Sequence, residues 1–508
     1  MTGKPSSLET ARQRIAAAYS PDLFGTLAGQ LASTLTDHFS RVESNSGPVL
    51  NWTPPTDNIA AAESWLDRSP AADAGVPQPE ELQQQFARCL ETMLARGNNL
   101  HSPRYLGHQV PASVPLAALF DLIGSATNQV MAIYEMGPWA TAVERAVVER
   151  VGTQLGLPAG NFAGLITHGG SLANLTALLT ARNVALGDAW EAGFPQEQPR
   201  PVLVAHSDAH YCITRAAGVL GLGTRQVIPA PLDDRRRMDP AKLDELLADL
   251  RGQGRQVVAV SACACATPIG AFDPLNDIAD VCEKHDVWMH VDAAHGGAAG
   301  FSEQHRHLLD GLARADSFIC DAHKMMFVPA LCAFVFYRNP VHRFETFRQD
   351  APYLFDPSAP GLADYDSGLT TVECTKRAAA YGLWGLWSLF GPRLFADMVD
   401  VTFELGRQLY NRLVDAPDFE PLHAPECNIV VFRHIPEELR DAAAATIGEF
   451  NRRIRRELIE SGEFYIVQTN IDGVGALRVT LINPLTEEQH LDRLLGSIRR
   501  IGSRLLEG

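Results

Sequence analysis

The sequence predicts an α/β protein: a three-layer, mostly parallel sheet, a smaller α+β domain toward the C-terminus and an N-terminal helical arm. Three observations carry this reading. Between about residues 160 and 340, short apolar runs of strand length alternate with helix-length segments, the signature of βαβ units. Two of the runs end at chemistry-bearing side chains, Asp292 and the His323-Lys324 pair, and ligands of such sheets bind beyond the C-terminal strand ends. After residue 390 the order becomes helix, strand, helix, strand pair, helix, which suits a compact α+β unit. At 508 residues the chain is too long for one small core. We divide it into an arm and linker (1–98), a large α/β domain (99–390) and a small domain (391–508).

In chain order, Ser7–Tyr19 and Leu23–Phe39 place apolar residues three or four apart and read as helices. Residues 44–80, rich in Pro, Ser, Asn and Asp, read as an extended linker; this arm lacks a local core and is expected to pack on another subunit. Pro79–Arg96, Pro115–Met131 and a segment from Pro138 through Leu155 read as helices. The predicted strands are Gly164–Thr167, Pro201–Ala205, Thr224–Ile228, Gln256–Ser261, Val287–Val291, Ser317–Cys320 and Cys332–Tyr337, with helices such as Leu172–Leu186 and Asp273–His285 between them. Residues 340–371 read as loop and Cys374–Phe390 as a bridging helix. The small domain then comprises helix Arg393–Val414, strand Asn428–Arg433, helix Ala442–Ser461, strands Phe464–Thr469 and Gly475–Ile482, and helix Thr486–Leu506. Gly473 and Gly475 mark the hairpin turn.

A net charge of −17 argues against a nucleic-acid or anionic-membrane surface. No run of about 18 apolar residues suggests a membrane helix, and the first residues have no signal-like apolar core. Nine cysteines are scattered without zinc-ligand spacing, so no metal site is expected and a reducing, cytoplasmic location is. Cys263 and Cys265 read as neighbours at a strand end.

The chemistry concentrates in residues 288–324. An apolar run delivers Asp292 to one strand end, and the next strand leads to Lys324. Taken singly, the acid could cap a helix and the lysine could be solvated. Together they are what pyridoxal 5′-phosphate (PLP) requires, a lysine for the Schiff base and an acid for the pyridinium nitrogen. The turn Thr167-His-Gly169-Gly170-Ser171-Leu-Ala-Asn174 joins a strand to a helix, where free N–H groups attract phosphate; a tight turn with an N-cap serine is the plainer alternative. His210, in Ser207-Asp208-Ala-His210, could stack on a ring or satisfy local backbone. His295, His305 and His307 read as surface or structural.

In this order, Gly-Gly-Ser-x-Ala-Asn, Ser-Asp-x-His, Gly-Ala-Phe272-Asp273-Pro, His-Val-Asp292-Ala-Ala294 and Asp-x-His323-Lys324 resemble the group II PLP-dependent amino acid decarboxylases, from about Leu100 to the C-terminal helix. The resemblance implies fold type I and a homodimer with shared active sites. It assigns Lys324 to the Schiff base and Asp292 to the pyridine nitrogen. His210 and Ala294 take the two ring faces, and Gly170, Ser171 and His323 the phosphate side. Tyr353, in Pro352-Tyr353-Leu-Phe, matches the mobile-loop tyrosine that protonates Cα and that aldehyde-forming relatives replace with Phe. Cys265-Ala266-Thr267 stands where the family often has Gly-Thr-Thr, so that a hydroxyl near the cofactor is either missing or supplied by Thr267 alone. Arg478 matches a small-domain arginine. The resemblance implies that His108 and Gln109 face the substrate side chain, and specificity is expected there, in Tyr134–Trp139 and in residues 352–366, with residues from the partner subunit. The expected activity is release of CO2 and a primary amine from an L-amino acid. Aldehyde formation, transamination or a non-catalytic binding role are the rivals.

Overall fold

A computed structural model of the protein describes residues 7–44, 46–67, 78–194, 199–347 and 363–507. The strands in chain order are β1 (Val130–Met131), β2 (Ala163–Thr167), β3 (Val202–His206), β4 (Val227–Ala230), β5 (Val257–Cys263), β6 (Trp288–Asp292), β7 (Ser317–Asp321), β8 (Ala333–Tyr337), β9 (Lys376–Arg377), β10 (Phe419–Pro421), β11 (Ile429–His434), β12 (Val467–Ile471) and β13 (Val474–Thr480). Seven of them form the large sheet in the order β2-β8-β7-β6-β5-β3-β4. Neighbours from β7 through β4 run parallel, and β8 alone is reversed, antiparallel to both β2 and β7. β2, β3, β6, β7 and β8 are buried along their whole length, as strands covered on both faces must be. One core fills each face of this sheet, and a third fills the small domain between β10-β11-β13-β12 and its helices. The predicted fold class therefore agrees with the structure.

Four local expectations need correction. The linker reading of 44–80 missed the helix Pro55–Leu66; Pro54-Pro55 looks like a helix breaker, yet proline suits a first helical turn, where its missing N–H has no partner to lose. Residues 45 and 68–77 of that segment lie outside the described residues. The helix begun at Pro115 ends at Ala126, and after Asn128 in the left-handed region (φ 51°) the chain enters β1. The bridging helix starts only at Tyr381, because Lys376–Arg377 extends to pair with β1. The edge strand β10 was also missed, being three residues long and ending in proline.

Lys376 explains the extended conformation there. Its Nζ donates to Glu144 Oε1 and to the carbonyl of Ile166, both at 2.6 Å, with both side chains almost fully buried. The pair ties the strand after loop 363–375 to β2, next to the Thr167 turn. Lys376→Met would strand the Glu144 carboxylate. We expect a loss of about 3–5 kcal/mol, read as a lower unfolding midpoint; an unchanged midpoint would show that water reaches the site.

Candidate active site

A cavity of about 290 Å³ opens at the C-terminal ends of β6 and β7 and is lined by Gly170, Ser171, His210, Thr267, Asp292, Ala294, His323, Lys324 and Gln109, among others. Nine of the residues singled out from sequence thus meet in one place. Tyr353 lies outside the described residues. His108 is exposed, and neither it nor Arg478 is among the lining residues.

Lys324 lies in the four-residue helix that follows β7, with its Nζ 3.5 Å from Asp321 Oδ2. Asp321 is buried, its Oδ1 has no hydrogen-bond partner, and burial weakens its acidity despite Lys324 and His323. On the neighbouring strand Asp292 accepts from Asn174 Nδ2 (3.1 Å) through Oδ2 and from the Ala294 N–H (3.1 Å) through Oδ1. His210 is half-buried, and burial lowers its pKa, opposed by Asp292 and reinforced by Lys324 and Arg215.

The helix Gly170–Leu186 begins on the cavity wall without a side-chain cap. First-turn N–H groups without intrahelical partners favour an anion there. A Cβ at Gly170 would stand 2.6 Å from Asp321 Oδ2, so only glycine lets the helix start beside that carboxylate. Ser171 adds a hydroxyl at the same place. An uncapped helix start, a carboxylate held by two donors and a lysine on one cavity wall are the groups that the phosphate, ring nitrogen and aldehyde of PLP require.

The segment before Gln109 docks on the small domain. Leu106 N–H donates to the Tyr465 carbonyl (2.9 Å), Tyr105 stacks on Tyr465, and Leu106 enters the small-domain core. Gly107 permits this contact, since a Cβ would lie 2.4 Å from the Tyr465 ring. Arg478, on β13, is buried with Nε and Nη2 unpartnered. Burial brings its pKa down to about 10, opposed by the thiols of Cys265 and Cys427. Burial lowers the pKa of His108 and brings that of His295 to about 3, and the Arg478 charge adds to both.

Sequence reasoning missed Asn174, Asp321 and His295 as site residues. His295, read as surface or structural, lines the cavity and bonds Asn428 at 2.8 Å. Asp321 had a usable signal, because it closes a buried apolar run as Asp292 does. Asn174 stands one turn beyond Gly170, on the helix face that looks at the cavity.

A lysine and a carboxylate at adjacent C-terminal strand ends of a mostly parallel sheet define a fold type I PLP site. Residues 67–435 match the pyridoxal-dependent decarboxylase conserved domain. Mouse CSAD superposes with a TM-score of 0.84 at 27% identity, covering 95% of this chain and 99% of that one. Oryza sativa TDC, solved with PLP and tryptamine, gives 0.85 at 23% identity over 96% and 99%. Rhodiola rosea 4-hydroxyphenylacetaldehyde synthase gives 0.81 at 20% identity over 96% and 99%. The chain belongs to the pyridoxal-dependent decarboxylase family, and its cofactor is pyridoxal 5′-phosphate.

Proposed function

We propose that this protein is an L-amino acid decarboxylase that releases CO2 and a primary amine. Bound PLP supplies an electron-accepting ring for the pair left when a Cα bond breaks. The observation that carries the reading is the convergence of Lys324, Asp292 and the uncapped Gly170 helix start on one cavity. In this reading Lys324 would hold the cofactor at its aldehyde end. Asp292, as an anion, keeps a proton on the ring nitrogen. His210 and Ala294 flank the ring, Thr267 offers a hydroxyl, and Gly170, Ser171 and His323 hold the phosphate end. Arg478, a buried guanidinium with two unpartnered nitrogens, suits a substrate carboxylate, while His108 and Gln109 face the substrate side chain. The residues that bind the substrate carboxylate would select which Cα bond breaks, and Tyr353 would return a proton to Cα.

We further propose a cytoplasmic homodimer with shared active sites. Two features support it. Leu116, Leu119, Leu122 and Ile123 leave one face of the helix Pro115–Ala126 apolar and exposed, and all nine cysteines are free. Among the described residues no helix is long and apolar enough to cross a membrane.

Incubating the loaded enzyme with acidic, basic, aromatic and aliphatic amino acids, with product masses recorded, tests the reaction. We expect an amine from one class, and Tyr353→Phe should lower amine formation at least about tenfold and yield aldehyde in its place. Aldehyde or keto acid from the unmodified enzyme would replace decarboxylation with one of the rival reactions.

A further inference from the structure

Behind Asp292 runs a chain of buried polar groups that the reaction described above does not use. Trp288, His290 and Asp292 alternate along β6 and so share one face, and the register sets His290 opposite Ser317 on β7. Asn174, from the helix Gly170–Leu186, sits over that face. Trp288 Nε1 contacts Ser317 Oγ at 2.9 Å, Ser317 Oγ contacts His290 Nδ1 at 2.9 Å, His290 Nε2 contacts Asn174 Oδ1 at 2.8 Å, and Asn174 Nδ2 contacts Asp292 Oδ2 at 3.1 Å.

The chemistry of its two ends gives this chain a direction. The indole N–H of Trp288 can only donate, and an ionised Asp292 can only accept. Asn174 must therefore turn its amide nitrogen to Asp292 and its oxygen to His290, so the proton of His290 sits on Nε2. A neutral ring then accepts at Nδ1 from the Ser317 hydroxyl, which in turn accepts from Trp288. All four hydrogen bonds point toward Asp292. Protonating His290 would place a second donor against Ser317 and break the order. Burial opposes that protonation, holding the His290 pKa down to about 4, with Asp292 and the Ser317 backbone pulling the other way. Cys212 also touches the chain, its Sγ 3.3 Å from Asn174 Nδ2 and its thiol pushed up to about 12 by burial, while His210 and Cys263 face Asp292 at its far end. Asn174, His290 and Ser317 are each at most 1% exposed, so water does not compete for these bonds.

We propose that His290 is a positioning residue for the cofactor: acting through Asn174, it fixes the orientation of Asp292 and favours its anionic form, and so sets how tightly the pyridine nitrogen is held and protonated. The inference rests on the pairing of Asp292 with that nitrogen. A packing role alone would require only that the ring volume be filled. A positioning role requires a donor at Nε2, which glutamine can supply and phenylalanine cannot.

The test compares His290→Phe, His290→Gln and Asp292→Asn. For each we would measure PLP dissociation by absorbance, the pH midpoint of the bound cofactor's visible band, and the unfolding midpoint of the apoprotein. We expect His290→Phe to weaken PLP binding about tenfold and to move the band's midpoint by about one pH unit, with His290→Gln restoring most of both. 15N NMR of the histidine-labelled wild-type apoprotein should find His290 neutral and protonated on Nε2 from pH 6 to 8. The signal that His290→Gln removes is that of His290, so this readout can overturn the proposal even if His290→Phe does not fold. A ring protonated on Nδ1, or a folded His290→Phe with unchanged dissociation and midpoint, overturns the proposal. If Asp292→Asn also leaves both cofactor readouts unchanged, the pairing of Asp292 with the ring nitrogen falls too; if Asp292→Asn shifts them and His290→Phe does not, only the relay falls.

Discussion

Lys324→Ala is expected to lower turnover at least about 10³-fold, equivalent to ~4 kcal/mol of transition-state stabilisation, and to abolish covalent capture of the cofactor. The sequence holds five lysines. Lys242 and Lys284 are exposed and paired with Asp239 and Asp244, and Lys376 is committed to Glu144. Lys4 lies outside the described residues. Lys324 is the one lysine on the cavity wall among those described. Borohydride reduction of the loaded protein, followed by peptide mass mapping, should place the cofactor on the peptide containing Lys324 and on no other. The variant should still bind PLP non-covalently, because the uncapped helix start and Asp292 remain. Added small amines should restore part of the rate, since they can serve in place of the missing side chain. The substitution also removes the nearest cation from the buried Asp321, which burial already biases toward protonation. Asp321 should then take up a proton, with little loss of fold. Near wild-type turnover, or label on Lys376, would remove Lys324 from its role.

The fold was legible where a single period dominates. The runs that became β3, β5, β6, β7 and β8 are short, apolar and bounded by helix-length segments, and the predicted bounds differ from the observed ones by one or two residues at most ends. The reversal of β8 could not be read, because an apolar run looks the same in either direction. The helix at Pro55 and the extended stretch at Lys376 were illegible for opposite reasons. In the first, proline chemistry has two readings; in the second, a buried ion pair with a residue 232 positions away overrides local propensity. At the site, the strand ends gave Asp292 and Lys324 directly. The groups behind them, Asn174, His290 and Ser317, come from a helix and two strands, and only the register brings them together. Even so, an alternating Trp-x-His-x-Asp in a buried strand places three polar side chains on one face, and that much is visible in sequence. Asp208 and Arg236 were harder. Their bidentate pair (2.8 and 3.1 Å), extended by Arg236 to Asp472 at 2.8 Å, links the His210 turn to the small-domain hairpin, a contact between segments more than 230 residues apart.

Asp292→Asn is expected to reduce kcat by about 10²–10³-fold, the range for loss of one preorganised electrostatic group, while leaving the covalent link at Lys324 intact. The distinction follows from what each residue touches. Lysine exchange requires only the cofactor's aldehyde end, whereas electron withdrawal requires the protonated ring nitrogen that a carboxylate favours and a neutral amide does not. The substitution also disturbs the protein's own hydrogen bonds. Asp292 offers two oxygens to two donors, Ala294 N–H and Asn174 Nδ2. An asparagine offers one oxygen, so one donor faces an NH2 group unless Asn174 flips. A flipped Asn174 would present its amide nitrogen to His290 Nε2, forcing the imidazole proton onto Nδ1 and turning the Ser317 hydroxyl away from the ring. The Ser317 oxygen could accept from both that ring N–H and the Trp288 indole, so the indole bond survives while the Ser317 hydroxyl proton loses its acceptor. The flip should therefore cost about 1–3 kcal/mol for the donor left unpaired. The effects of Asp292→Asn and His290→Phe on kcat should then be less than additive, since each removes what the other acts through. Full additivity would mean that the two residues act separately, and a kcat near wild type in Asp292→Asn would mean that the ring nitrogen needs no anion in this enzyme.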